Sequence, residues 1–303
     1  MRGAGASVLG RVLGLHVLLV PACADVGTAS TSETSATSSS SGTTSPTSGG
    51  DEAATTGTAD TTGEGGSTSS GSTGAEDGTT GGSSSGEPPP AAVTVSVLGA
   101  STAVGWNLDK PEYGGEVGGL KYSWVNRYEA YLQVERPGSQ VYNLSKAGYG
   151  TYEALPTGTV NPADRPQVDP VRNITAALAR DPDVIIVHYP SGGDLDNGIL
   201  VKEIIDNLEV IAATAAAANV PIWVATPNPL SKTPQAKIDQ FLDMRAQILT
   251  IYGDRALDFW ALRVGPDGNA LPEYTLLDGH HPNAEGHRLL FELVVAVKVV
   301  APV

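Results

Sequence analysis

Asp183-Val184-Ile185-Ile186-Val187-His188-Tyr189 sets four β-branched apolar residues in a row with no polar position between them. A strand with one solvated face alternates apolar and polar residues, whereas an unbroken run suits a strand covered on both faces. Four other short runs frame it: Val93 to Leu98 ending at Gly99, Val141 to Leu144, Pro221 to Thr226, and Leu257 to Trp260. Helical patterns fall between them. Leu120 to Val134 spaces Trp124, Tyr128, Tyr131 and Leu132 along one face, and these aromatics read as core. Asp169-Pro170 supplies a cap and first-turn proline for a helix to Arg180. Ile199 to Asn219 carries an Ala-rich face. Thr233-Pro234 repeats the cap-plus-proline signal for a helix to about Tyr252, ended near Gly253. Asn283 can cap a last helix, Ala284 to about Val300. Strands alternating with helices predict an α/β domain, a mostly parallel sheet of about five strands with helices on both faces.

That domain is expected to span residues 91–303, long enough for one well-buried core. The preceding chain differs in kind. No Phe, Trp or Tyr occurs before residue 91, and residues 24–90 contain no Lys or Arg, being mostly Ser, Thr and Gly. Such a stretch cannot offset an ordering cost of roughly 1–2 kcal/mol per residue, so it is expected to be a disordered linker. As a flexible coil it would span on the order of 45 Å.

Residues 1–23 have the composition of an export signal. Arg2 and Arg11 precede or open the apolar run Val12 to Val20, which is too short for a transmembrane helix of about 20 residues. Two cleavage readings stand. Val20-Pro21-Ala22-Cys23 resembles a bacterial lipoprotein box with Cys23 as the lipid-bearing residue. Ala22-Cys23-Ala24 also fits the small-x-small pattern of ordinary secretion. The reading preferred is the lipoprotein, because the chain's one cysteine sits at the end of the signal and a tether follows it.

A net charge of −15 argues against nucleic acid or anionic lipid as the main partner. The single cysteine excludes an internal disulfide framework and a Cys-based zinc cluster. Nine of the 33 acidic residues lie in the linker, so the acidity is shared between linker and domain. A monomer is expected, touching a membrane only through the lipid anchor.

In parallel α/β sheets, ligands bind beyond the carboxyl ends of the strands. The segments there are Gly99-Ala100-Ser101-Thr102, Asn143 to Thr151, Tyr189-Pro190-Ser191-Gly192-Gly193-Asp194, Thr226-Pro227-Asn228-Pro229 and Asp278-Gly279-His280-His281-Pro282-Asn283. A serine, glycine turns and a carboxylate–histidine pair thus converge on one edge. Acyl transfer needs that set: a hydroxyl, a base for its proton, a carboxylate to orient the base, and N–H donors for the oxyanion. Asp-x-x-His favours His281 over His280 as the base, since it lets the carboxylate meet Nδ1 while Nε2 faces the serine. His188 reads as a core histidine at the end of its strand, and His287 as a packing or surface residue. Gly114 to Gly119 reads as a flexible loop near the serine, with no phosphate-loop or dinucleotide pattern.

These segments resemble the SGNH (GDSL-like) hydrolase family, on Gly99-Ala100-Ser101-Thr102, on Gly148 five residues after Asn143, and on Asp278-x-x-His281 followed by Pro282-Asn283 and Gly286. Trp124-Val125-Asn126-Arg127-Tyr128, Arg172-Asn173-Ile174-Thr175 and Asp258-Phe259-Trp260 are similar to one bacterial branch. The resemblance implies a three-layer α/β/α sandwich with a flavodoxin-like parallel sheet. It also implies Ser-His-Asp ester hydrolysis without metal or cofactor: Ser101 as nucleophile, His281 as base, Asp278 as its orienter. The oxyanion would meet the N–H groups of Ser101 and Gly148. Two positions depart from the family pattern. Ala100 stands where an Asp is usual. Gly192 stands where a block III Asn normally gives a side-chain donor, so a backbone N–H of Gly192 or Gly193 must replace it, or Asn197 must reach in, or activity is weak. The expected substrate is a small acyl ester or acylated carbohydrate. The alternative is a catalytically impaired lipoprotein of the same fold that binds glycans or envelope partners.

Overall fold

Five strands form in the computed structural model, which describes residues 90–189 and 192–300, four of them close to the bounds expected and the fifth at Ala256–Leu257 rather than Leu257 to Trp260. The segments read as signal, lipidated Cys23 and linker lie outside the described residues, apart from Pro90 at the linker's end. So do Pro190 and Ser191. The strands are β1 (Thr94–Gly99), β2 (Gln140–Asn143), β3 (Val184–His188), β4 (Ile222–Ala225) and β5 (Ala256–Leu257). They pair in the order β2-β1-β3-β4-β5, every pair parallel. This is the flavodoxin-like order.

β3 lies in the centre because its unbroken apolar run can be buried on both sides, and all five of its residues are buried. Successive side chains point to opposite faces. Ile185 and Val187 join one core; Val184 and Ile186 join the other. The first core is closed by α3 (Ile174–Leu178), α5 (Val201–Ala217) and α6 (Gln235–Tyr252). The second is closed by α2 (Trp124–Glu135) and α7 (Ala284–Ala296), which bring Trp124, Tyr128, Leu290 and Val294 against it. Helices on both faces of the sheet make the three-layer sandwich. Among the described residues no helix is long and apolar enough to cross a membrane.

Several helix boundaries differ from the sequence reading, among them the start of α2, at Trp124 rather than Leu120. The helix expected to start at Asp169-Pro170 starts instead at Ile174, where the Asn173 side chain accepts from the Ala176 N–H at 2.9 Å. Asp169 has other partners. Its Oδ1 accepts from the Val171 N–H at 2.9 Å, closing an Asx-type turn, and its Oδ2 accepts from the Tyr149 hydroxyl at 2.6 Å. Thr233 does not cap α6: its hydroxyl donates to the Leu230 carbonyl at 2.8 Å, and Pro234 takes the cap position without a side-chain bond. α7 ends at Ala296 rather than Val300. Asn283 does cap α7, accepting from the N–H groups of Glu285 at 3.0 Å and Gly286 at 2.9 Å.

Two short helices, not anticipated from the sequence, matter for the site. α1 (Ser101–Val104) follows β1 directly, and α4 (Gly192–Asp196) follows the β3 loop. The register Gly99↔His188 sets the ends of β1 and β3 level. The Gly114–Gly119 segment is a largely exposed run of turns closed by one buried glycine. Its last residue packs so closely on the Leu108 carbonyl that a Cβ there would lie 2.0 Å from the oxygen.

Candidate active site

Ser101 owes its position to the end of β1. Ala100 is extended, its N–H donates to the His188 carbonyl at 3.4 Å, and Ser101 then opens α1. A first-turn N–H has no partner within its own helix. Among the described residues the Ser101 backbone N–H donates to no carbonyl, nor does that of Gly148. Gly148 sits in a turn at φ 82°, a conformation glycine adopts without strain. The turn is anchored by Asn143 at the end of β2. Its Nδ2 donates to the Ala103 carbonyl at 2.9 Å, and its Oδ1 accepts from the Ser145 N–H at 3.1 Å.

Asp278 and His281 come from the loop before α7. Asp278 Oδ2 lies 2.8 Å from His281 Nδ1, while Oδ1 accepts from the backbone N–H groups of His280 at 2.9 Å and His281 at 3.0 Å. Burial alone would raise the Asp278 pKa. The backbone donors, the His281 ring and Asn107 outweigh it and hold the carboxyl down at about 2. An ionised Asp278 fixes the hydrogen of His281 on Nδ1 and leaves Nε2 as the acceptor. The His281 pKa is lowered, chiefly by burial, which the Asp278 charge only partly opposes. At neutral pH the ring is therefore a free base.

Ser101, Gly148, Gly192 and His281 line one cleft of about 170 Å³, together with Gly193, Tyr149, Asp196, Asn228, Leu230 and His280. Asp278 lies behind His281. Among the described residues no hydrogen bond joins the Ser101 hydroxyl to His281; such bonds often close only when substrate is bound. His280 is exposed and contributes to the rim. Asn197 is exposed and does not line the cleft, so it is not the missing side-chain donor. Gly192 is buried as the first residue of α4. A Cβ there would lie 2.7 Å from Leu230 Cδ1 and 3.1 Å from the Lys237 ammonium, so these two side chains occupy the space that a larger residue would need.

The model of the GDSL-like lipase/acylhydrolase family matches residues 97–289, from β1 into α7. The chain belongs to this family. Among solved structures it is similar to a G-D-S-L family protein of Desulfitobacterium hafniense DCB-2, at 18% identity and a TM-score of 0.50, over 69% of this chain and 99% of that one. It is also similar to a lipase/acylhydrolase from Enterococcus faecalis, at 20% identity and a TM-score of 0.48, over 67% of this chain and 94% of that one. The esterase EstA from Pseudoalteromonas sp. matches at 17% identity and a TM-score of 0.47, over 67% and 95% of the two chains. No curated protein sequence matches significantly.

A GDSL-like domain is an ester-hydrolase domain, and two residues of this one are not apparent from the motifs. Asn107, at φ 65°, donates from Nδ2 to Asp278 Oδ2 at 2.8 Å. Asn228, after β4, donates from Nδ2 to the Thr102 hydroxyl at 3.1 Å and contacts His188 Nε2 at 3.0 Å. The sequence signals are weak: an Asn six positions after the serine, and an Asn between two prolines at a strand end. His188 and His287 are both buried, as core histidines would be, and neither lines the cleft.

Proposed function

We propose that this GDSL-like hydrolase is a serine esterase that removes short acyl groups through Ser101, His281 and Asp278. Ser101 attacks the ester carbonyl. His281 Nε2 takes its proton and returns it to the leaving alcohol, and Asp278 stabilises the imidazolium. The N–H groups of Ser101 and Gly148, with a backbone N–H of Gly192 or Gly193, bind the oxyanion. The observation that carries this reading is the 2.8 Å contact of Asp278 with His281 Nδ1, behind a cleft that His281 shares with Ser101.

The cleft volume narrows the substrate. A cavity of about 150 Å³ holds a benzene-sized molecule, so about 170 Å³ suits an acetyl or similarly short acyl group. Its polar residues, Tyr149, Asp196, Asn228 and His280, favour a hydroxylated alcohol part over a lipid chain. The substrate we infer is an acetylated carbohydrate. Export through residues 1–23 with lipidation of Cys23 would place the enzyme at an envelope surface where such esters occur; incorporation of labelled palmitate, lost in Cys23→Ala, tests the anchor.

Hydrolysis of p-nitrophenyl acetate by the full chain, against Ser101→Ala, tests the chemistry. A rate that falls to background in the variant supports it, and equal rates would sink it. The absence of a side chain at Gly192 favours a second reading, a glycan-binding protein of impaired activity. A phosphonate that fails to label Ser101 in the folded protein would select that reading.

A further inference from the structure

Behind the cleft, between the second core and Asn228, lies a group of polar side chains that the ester chemistry does not use. Arg263 is fully buried, and among the described residues it pairs with no carboxylate. Its Nη1 reaches Asn228 Oδ1 at 3.4 Å, but Nε and Nη2 have no partner. His188 Nδ1, His287 Nε2 and Trp124 Nε1 are also buried without a partner. The Trp124 and His188 rings are 6.1 Å apart, and the Trp124 backbone N–H donates to His287 Nδ1 at 3.2 Å. Arg263 acts electrostatically on both imidazoles, and His188 on His287.

The hydrogen positions follow from the partners. A guanidinium can only donate, so Asn228 turns its Oδ1 to Arg263 and its Nδ2 to His188. His188 Nε2 is then an acceptor, and its hydrogen is on Nδ1. His287 Nδ1 accepts from a backbone N–H, so its hydrogen is on Nε2. Both rings are neutral: burial first, and Arg263 second, drive the His188 pKa down to about 3 and hold that of His287 well below its usual value. The five unpartnered atoms therefore all present N–H donors. Burial also pulls Arg263 down, to about 9, which leaves it charged at neutral pH.

From this donor-only cluster around an unpaired guanidinium we infer a buried binding site for a small monovalent anion of the chloride class. Water fits less well. A bound water must give away its own two hydrogens, and each imidazole has already committed its lone-pair nitrogen, while guanidinium and indole have no lone pair to offer. An anion can accept from N–H donors of this kind without having to donate in return, and it neutralises a charge that is otherwise buried alone. Asn228 links this site to the cleft that it lines, since its Nδ2 reaches both His188 and Thr102 and its Oδ1 reaches Arg263.

The test uses the full chain and sodium salts at equal ionic strength. In chloride or bromide the unfolding temperature should rise by roughly 3–6 °C for each tenfold increase above the dissociation constant, and gluconate should give no such rise. Arg263→Met should lose the difference between the salts. Because that variant leaves the imidazoles unpaired and could fail to fold, crystals of the unaltered protein soaked in bromide supply an independent measurement. An anomalous peak among Arg263, His188 Nδ1 and His287 Nε2 supports the site. Bromide found only at the surface, with unfolding temperatures equal in bromide and gluconate, overturns it.

Discussion

Asn107 Nδ2 and Asp278 Oδ2 are 2.8 Å apart, so the carboxylate oxygen that holds the His281 ring also holds an amide brought from the end of the nucleophile segment. The contact joins residues 171 positions apart and ties the turn after Ser101 to the loop that carries the base. Asn107 touches no reacting atom; it positions Asp278. Hydrogen bonds to a charged group contribute about 1.5–3 kcal/mol.

Replacing Asn107 should therefore lower kcat without changing KM. Gly is the informative substitution, because Ala at φ 65° would add backbone strain of its own. Asn107→Gly is expected to lower kcat about tenfold or more. Steady-state kinetics on p-nitrophenyl acetate would read the split between kcat and KM. A variant that loses binding rather than turnover would rule out the positioning role.

The pH profile follows from His281. General-base catalysis needs the neutral ring, and burial moves its pKa below 6.5. The acid limb of kcat/KM should therefore fall below pH 6.5, and activity should stay level from there through neutrality. Asp278, held at about 2, stays ionised throughout that range. A limb centred above pH 7 would contradict the burial of the ring.

Stability should respond to a different carboxyl. Asp194 is buried on α4, accepts from the Thr151 N–H at 3.2 Å, and is pushed up to about 7, mainly by burial. A carboxyl whose pKa is raised on folding gives stability that is complete below its unfolded value and is lost as pH rises through the folded one. Its contribution to the unfolding free energy should thus decline between about pH 4 and pH 7, by at most roughly 1.4 kcal/mol per pH unit, against the opposite contribution of the buried neutral rings of His188 and His287. Asp194→Asn keeps the acceptor for Thr151 and should remove that contribution, so that between pH 4 and pH 7 its unfolding free energy rises relative to that of the unaltered protein. Urea midpoints at a series of pH values measure it.

The strands were legible because burial on both faces writes an unbroken apolar run, and the helix faces because an apolar stripe repeats at helical spacing. Ser101 and Gly148 could be read as lying beyond strand ends at one edge of the sheet, whereas Asp278 and His281, in the loop before α7, could be read only as an Asp-x-x-His pair. What stayed hidden depends on side chains that cross the fold. Asp169 beside Pro170 reads as a helix start, yet Tyr149 recruits its Oδ2 and Val171 its Oδ1, so Asn173 becomes the cap. Asn107 is drawn to Asp278 from far along the chain. Spacing along a sequence contains no sign of such partners.

Gly192 tests how far the family pattern can be restored. If the side-chain donor were simply missing from an otherwise unchanged site, Gly192→Asn should increase the rate by up to about 100-fold or more, the usual worth of one oxyanion donor. The surroundings argue otherwise. A Cβ would meet Leu230 Cδ1 at 2.7 Å and the Lys237 ammonium at 3.1 Å, and that ammonium is held by Asp196 Oδ1 at 2.5 Å. An inserted Asn must displace Leu230 and loosen that ion pair before its amide can face the cleft. Gly192→Asn is therefore expected to leave kcat unchanged or lower, with a small loss of stability. Single-turnover acylation of Ser101 by p-nitrophenyl acetate isolates the step that the oxyanion site serves. A large increase there would mean that the neighbours give way freely and that only the amide is absent.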